Sequence, residues 1–122
     1  MNALKAIIID DVRLIRTELK ILLQDISGIE VAGEAANGKE ALDKISQLKP
    51  DILFLDIHLP DFSGFELLKK VKGDFKVIFI SSFFNQYIQE AERYNPVEFL
   101  MKPINKEQLF KVVNQVINQS SK

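Results

Sequence analysis

The sequence predicts an α/β fold of five strand–helix units, a (βα)5 chain with a parallel sheet doubly wound between two layers of helices. Three observations lead there. Short runs rich in Ile, Val, Leu and Phe recur without strand-type polar alternation, as strands covered on both faces require. Between them the apolar residues repeat at helical spacing. Capping and turn residues separate the two kinds of segment. Strands alternating with helices imply right-handed crossovers, so helices cover both faces and the domain has three layers.

The first strand is LKAIII (4–9), and Ile15, Leu19, Leu22, Leu23 and Ile26 mark a first helix closed by Ser27-Gly28. The second strand is IEVAGEA (29–35). It precedes a helix capped by Asn37, striped by Gly38, Ala41, Leu42, Ile45 and Leu48, and closed by Pro50. DILFLD (51–56) is the third strand, with Phe65, Leu68 and Val71 on the following helix. KVIFIS (76–81) is the fourth, with Phe84, Tyr87, Ile88 and Ala91 after it. VEFLM (97–101) is the fifth. Asn105 caps a last helix carrying Leu109, Val112, Val113, Val116 and Ile117. No internal repeat, low-complexity tract or linker interrupts this order.

Composition narrows the functional classes. A chain of 122 residues suits one domain, 1–122, and 47% hydrophobic with 27% charged residues is ordinary globular composition. The net charge of −1 supplies no basic field, so direct nucleic-acid binding by this domain and attraction to an anionic membrane are not expected. The absence of cysteine excludes disulfides, thiolate metal sites and a Cys nucleophile. No apolar run approaches the ~20 residues of a membrane span, so a soluble cytoplasmic protein is expected.

In parallel sheets of this type ligands sit beyond the carboxyl ends of the strands. Those ends carry Asp10 and Asp11 after the first strand, Asp56 after the third, Ser81 after the fourth and Lys102 after the fifth. One Asp after a strand is more often a helix cap than a catalyst. Three carboxylates gathered in one pocket, however, need a cation. Oxygen-only donors favour a hard divalent ion, Mg²⁺ first and Mn²⁺ next. A hydroxyl and an ammonium beside that ion suit a phosphoryl group, and a carboxylate is then the natural nucleophile.

The acidic pair in "IIIDD", the segment "DILFLDIHLPDFSGFELL", the hydroxyl of "FISS" and "FLMKP", in this order and spacing, resemble the receiver domain of bacterial two-component response regulators over essentially the whole chain. The resemblance implies a flavodoxin-like sheet of order 2-1-3-4-5. It implies that Asp56 accepts a phosphoryl group from a sensor histidine kinase. Asp10, Asp11, Asp56 and the backbone carbonyl of His58 would hold Mg²⁺, while Ser81 and Lys102 would bind phosphoryl oxygens. Ser81 and Phe99 would form the switch, and the bond before Pro103 would be cis. His58 and Phe83 would tune dephosphorylation, Phe83 by shielding the phosphoryl group from water.

Pro60 and Gly64 match the turn after the acceptor strand, where Gly permits a positive φ. The protein would be a signalling switch that assists its own phosphorylation and dephosphorylation. Its face of fourth helix, fifth strand and fifth helix would control a downstream effector and allow a homodimer. The aromatic-rich fourth helix followed by "KPI" is similar to receivers of LytTR-type DNA-binding regulators, and Phe83, Phe84 and Tyr87 would form an apolar patch if exposed.

Other classes remain. A flavodoxin-like cofactor module would carry a Gly/Ser/Thr-rich phosphate loop where this chain has Asp10-Asp11. A phosphohydrolase with an aspartyl-phosphate intermediate would carry a second Asp two residues beyond the nucleophile, where this chain has His58. A receiver-like binding module that works without phosphorylation needs none of these residues, yet all are present.

Overall fold

The structure is a computed structural model describing residues 3–120, with the side chains of Phe84 and Asn85 excluded. The apolar runs fold as β1 (Leu4–Ile9), β2 (Ile29–Ala35), β3 (Ile52–Asp56), β4 (Lys76–Ser81) and β5 (Glu98–Met101). The periodic segments fold as α1 (Arg13–Leu23), α2 (Gly38–Leu48), α3 (Gly64–Lys70), α4 (Phe84–Glu92) and α5 (Lys106–Ser120). The strands form one parallel sheet of order β2-β1-β3-β4-β5.

The triple isoleucine explains the missing alternation. Ile8 packs with Leu19, Phe54, Ile80, Leu109 and Val113 on one face, whereas Ile7 and Ile9 pack with Ala41, Ile45, Leu55, Phe65 and Phe79 on the other. All three are fully buried. At about 1.5–3 kcal/mol per buried side chain, such a run stabilises the fold only when helices cover both sides. Helices α1 and α5 cover the first face, and α2, α3 and α4 the second.

Local chemistry fixes the helix starts. Asn37 accepts the Glu40 N–H, Ser63 accepts the Glu66 N–H and Asn105 accepts the Gln108 N–H. The ends depart from the sequence expectation. α1 stops at Leu23, and Ile26 reaches the core from the turn beyond it, ahead of Gly28 at φ +98°. α3 stops at Lys70, so Val71 lies outside it, and its large buried side chains are Phe65 and Leu67. β3 starts at Ile52 and β5 at Glu98, each one residue later than expected.

The β1–β2 ladder has one irregularity. Ala6 pairs with Val31 and Ile7 with Gly33, so Ala32 is an extra residue in β2.

Candidate functional site

Because every strand points the same way, the residues ending β1, β3, β4 and β5 meet at one rim. Asp10 is fully buried. Its Oδ1 accepts the Val12 N–H at 2.8 Å. Asp56, 4% exposed, accepts the His58 N–H at 3.1 Å through Oδ1 and the Lys102 ammonium at 3.1 Å through Oδ2. Lys102 Nζ also lies 2.6 Å from Asp10 Oδ2, an ion-pair contact without hydrogen-bond alignment. Asp11 is exposed, yet it brings a carboxylate oxygen within 4.8 Å of oxygens from Asp10 and Asp56.

One ammonium therefore serves two buried carboxylates, and the protonation behaviour follows. Burial pushes the Asp56 carboxyl above its usual range and the Asp10 charge adds to it; the His58 amide and Lys102 offset this only in part. Burial works against the Lys102 charge, but Asp10 and Asp56 outweigh it and raise the ammonium above its ordinary value. The cluster is short of positive charge. Asp10 Oδ2, buried and without a directed donor, together with an all-oxygen donor set, fits a hard divalent cation.

Ser81 is fully buried at the end of β4, and its Oγ accepts the Phe83 N–H at 3.0 Å. The Lys102-Pro103 bond is cis. Phe99 is buried beside Phe79, with ring centroids 6.1 Å apart. His58 is exposed, and its ring meets Phe83 at 5.3 Å and Tyr87 at 4.9 Å, both edge-on. Phe83 is 51% exposed, whereas Tyr87 is half-buried; the side chain of Phe84, the third member of the expected patch, lies outside the described residues.

Gly64 corrects one expectation. Among the described glycines only Gly28 has a positive φ, and Gly64 is required because a Cβ there would lie 2.6 Å from the Asp56 carbonyl oxygen. Its N–H donates to the Ile57 carbonyl at 2.7 Å, closing the loop that follows β3.

Residues not singled out from sequence surround this rim. Arg16 donates through Nη1 to the Asp10 carbonyl and through Nε to Glu34, both at 2.7 Å. Lys20 holds the other Glu34 oxygen. Asp61 accepts the backbone N–H groups of Gly38 and Lys39.

Residues 6–114 match the response regulator receiver domain family. The chain belongs to that family. Similar curated proteins include a response regulatory protein of Vibrio cholerae, 42% identical over 98% of this receiver and 51% of that protein. The transcriptional regulatory protein BtsR of Salmonella typhi is 36% identical over 98% and 50%. The sensory transduction protein LytT of Bacillus cereus is 35% identical over 95% and 48%. The receiver thus spans about half the length of these relatives.

Among solved structures, the receiver domain of AraT from Geobacillus stearothermophilus superposes with a TM-score of 0.88 at 29% identity, covering 98% of this receiver and 97% of that chain. The response regulator domain of Thermotoga maritima CheB gives 0.83 at 28%, covering 96% and 98%. Receivers of two-component systems are signalling domains that pair with histidine kinases and output domains and bind Mg²⁺ at an acidic pocket. Among the described residues no helix is long and apolar enough to cross a membrane.

Proposed function

We propose that this receiver is a phosphorylation-dependent switch, residues 1–122 forming one phosphoacceptor domain whose acceptor is Asp56. The observation that carries this reading is the Asp56 carboxylate itself, buried at the rim with the His58 amide on one oxygen and Lys102 on the other. A carboxylate oxygen of Asp56 forms the bond to phosphorus while the bond from phosphorus to the imidazole nitrogen of a sensor histidine kinase breaks. The leaving imidazole keeps the electron pair. Mg²⁺, or Mn²⁺ in its place, held by Asp10, Asp11, Asp56 and the His58 carbonyl, supplies positive charge to the phosphoryl oxygens.

Lys102 then pairs with a phosphoryl oxygen in place of its present carboxylate contacts. The Ser81 hydroxyl turns from the Phe83 amide to another phosphoryl oxygen, drawing residues 81–83 inward. Phe99, two residues upstream of Met101, which pairs with Ser81, reads that movement within the face formed by α4, β5 and α5. Coupling of this kind is worth about 1–3 kcal/mol. Met101 of β5, 53% exposed, gives that face an apolar residue for an effector or for a second copy of the receiver. The name of the relative BtsR, a transcriptional regulatory protein, supports transcription as the output, through a LytTR-type or other effector in the cytoplasm.

Intact mass after incubation with Mg²⁺ and acetyl phosphate tests the reading. A single phosphoryl adduct that needs Mg²⁺ and disappears in Asp56→Asn is expected. An adduct that persists in Asp56→Asn would place the acceptor elsewhere, and multiple turnover of a generic phosphate ester would favour a phosphohydrolase. No adduct from acetyl phosphate or from a histidine kinase would leave a binding module.

A further inference from the structure

Neither of the two loops that carry the acid cluster is held in place by the cluster alone. Both are fastened to the junction between β2 and α2, which supplies no ligand. On the first side the Asp10 N–H donates to the Ala35 carbonyl at 3.0 Å, and Arg16 spans from the Asp10 carbonyl to Glu34 of β2. Glu34 is gripped by Lys20 as well, and this bond, against some burial and with help from Arg16, keeps its carboxyl below the usual range. Arg16 is therefore held at both ends, its side chain 14% exposed.

On the second side Asp61 reaches across from the loop after β3. Its carboxylate accepts Gly38 N–H at 2.7 Å and Lys39 N–H at 3.0 Å, the first turn of α2, and also the Phe62 N–H at 3.0 Å. Phe62 lies against Gly38 so closely that a Cβ there would overlap its ring. The loop from Ile57 to Gly64 is thus tied at its base by the His58 and Gly64 amides and at its tip by Asp61.

We propose that the β2–α2 junction is the anchor of the cation site: Arg16, through Glu34, positions the acid pair, and Asp61, through the Gly38 and Lys39 amides, positions the acceptor loop and its His58 carbonyl. This rests on the cation-binding reading given above. Arg16 and Asp61 are positioning residues, because the contacts of both end on backbone groups or on Glu34 and not on the clustered oxygens.

A simple field effect makes the opposite forecast for one of the pair. Removing the positive Arg16 would strengthen cation binding and removing the negative Asp61 would weaken it, whereas loss of an anchor weakens binding in both. Calorimetric titration of the whole chain with Mg²⁺ separates these. Asp61→Ala and Arg16→Gln are each expected to weaken Mg²⁺ by about tenfold, the low end of the ~10–100-fold cost of losing an outer-shell partner. Asp61→Asn, which keeps an acceptor oxygen without the charge, and Arg16→Lys should each recover part of the loss. Gly38→Ala, which displaces Phe62 and alters no charge, should weaken Mg²⁺ too and serves if Arg16→Gln does not fold.

In phosphoryl uptake from acetyl phosphate, the Mg²⁺ concentration for half-maximal rate should rise while the rate at saturating Mg²⁺ is retained. Unchanged Mg²⁺ affinity in Asp61→Ala and Gly38→Ala, whatever happens to their melting temperatures, overturns the proposal. So does tighter binding in Arg16→Gln, or an Asp61→Asn loss as large as that of Asp61→Ala. Failure of the wild-type chain to bind Mg²⁺ would overturn the reading of the cation site instead.

Discussion

Replacing Asp56 by asparagine should stabilise the metal-free protein at neutral pH, although it removes the proposed acceptor. Asp56 Oδ2 is 3.1 Å from the Lys102 ammonium, an attraction of about 5 kcal/mol at an effective dielectric constant near 20. Against it stand an Asp10 oxygen within 4.8 Å, a repulsion of about 3.5 kcal/mol on the same scale, and the several kcal/mol cost of burying a carboxylate. The balance favours the neutral amide by about 1–3 kcal/mol. That agrees in sign with the raised Asp56 pKa.

Because the folded pKa lies above the unfolded one, Asp56 contributes its stabilisation below its ordinary value of 3.8, and that contribution is lost as pH rises through the folded value. The advantage of Asp56→Asn should therefore be present at pH 7 and fade on acidification. For a domain of this size it corresponds to about 3–10 °C in Tm. Thermal melts followed by circular dichroism in EDTA, at pH 7 and near pH 4, measure it. A variant melting at or below the wild type at pH 7 would show that the Lys102 attraction outweighs burial and Asp10 together.

Lys102→Met should do the reverse, leaving two buried carboxylates without their ammonium at a cost of about 3–5 kcal/mol in urea denaturation under EDTA; a loss under 1 kcal/mol would contradict the shared-ammonium description. Glu34, whose pKa is lowered, contributes stability above its ordinary value of 4.5, and the contribution is lost as pH falls through the folded value. Glu34→Gln should therefore lose under about 1 kcal/mol at pH 7, since the pair is partly solvated, and match the wild type in acid. Phe83→Ala should shorten the lifetime of the phosphorylated receiver, followed by loss of the phosphoryl adduct; an unchanged lifetime would remove Phe83 as a shield.

The fold was legible where burial is two-sided or capping is local. Ile7 to Ile9 and ILFL of β3 are apolar throughout because both faces are covered, and Asn37 and Asn105 bond amides three residues away. Phase was lost where repeats are few. α3 has seven residues, too short to decide between Leu67 and Leu68, and Ile26 keeps the spacing of α1 from a turn outside it. The strand-end residues Asp10, Asp56, Ser81 and Lys102 were legible because a parallel sheet gathers such ends. Arg16 and Asp61 were not, because Arg16 bonds the Asp10 carbonyl and a Glu34 carboxylate eighteen residues away, Asp61 bonds the Gly38 and Lys39 amides, and backbone groups leave no mark in a sequence. The same holds for Gly64, whose constraint is a carbonyl oxygen eight residues back.

The extra residue in β2 sets a parity. Ile29 and Val31 pack toward the α1 and α5 side, whereas Ala35 packs on the opposite side and a Cβ on Gly33 would meet Leu48 and Lys44 of α2. In an unbroken strand positions 29, 31, 33 and 35 share a face, and Glu34 would look away from α1. Ala32 inverts the count, and Glu34 turns toward Arg16 and Lys20. Deleting Ala32 would close the ladder with Ile29, Val31 and Glu34 on one face and keep the carboxylate toward α1, whereas an unbroken ladder that kept Ala32 would send it through to the other side of the sheet and leave two cations on α1 facing none. The acid pair at the end of one strand thus depends on a single unpaired step inside its neighbour.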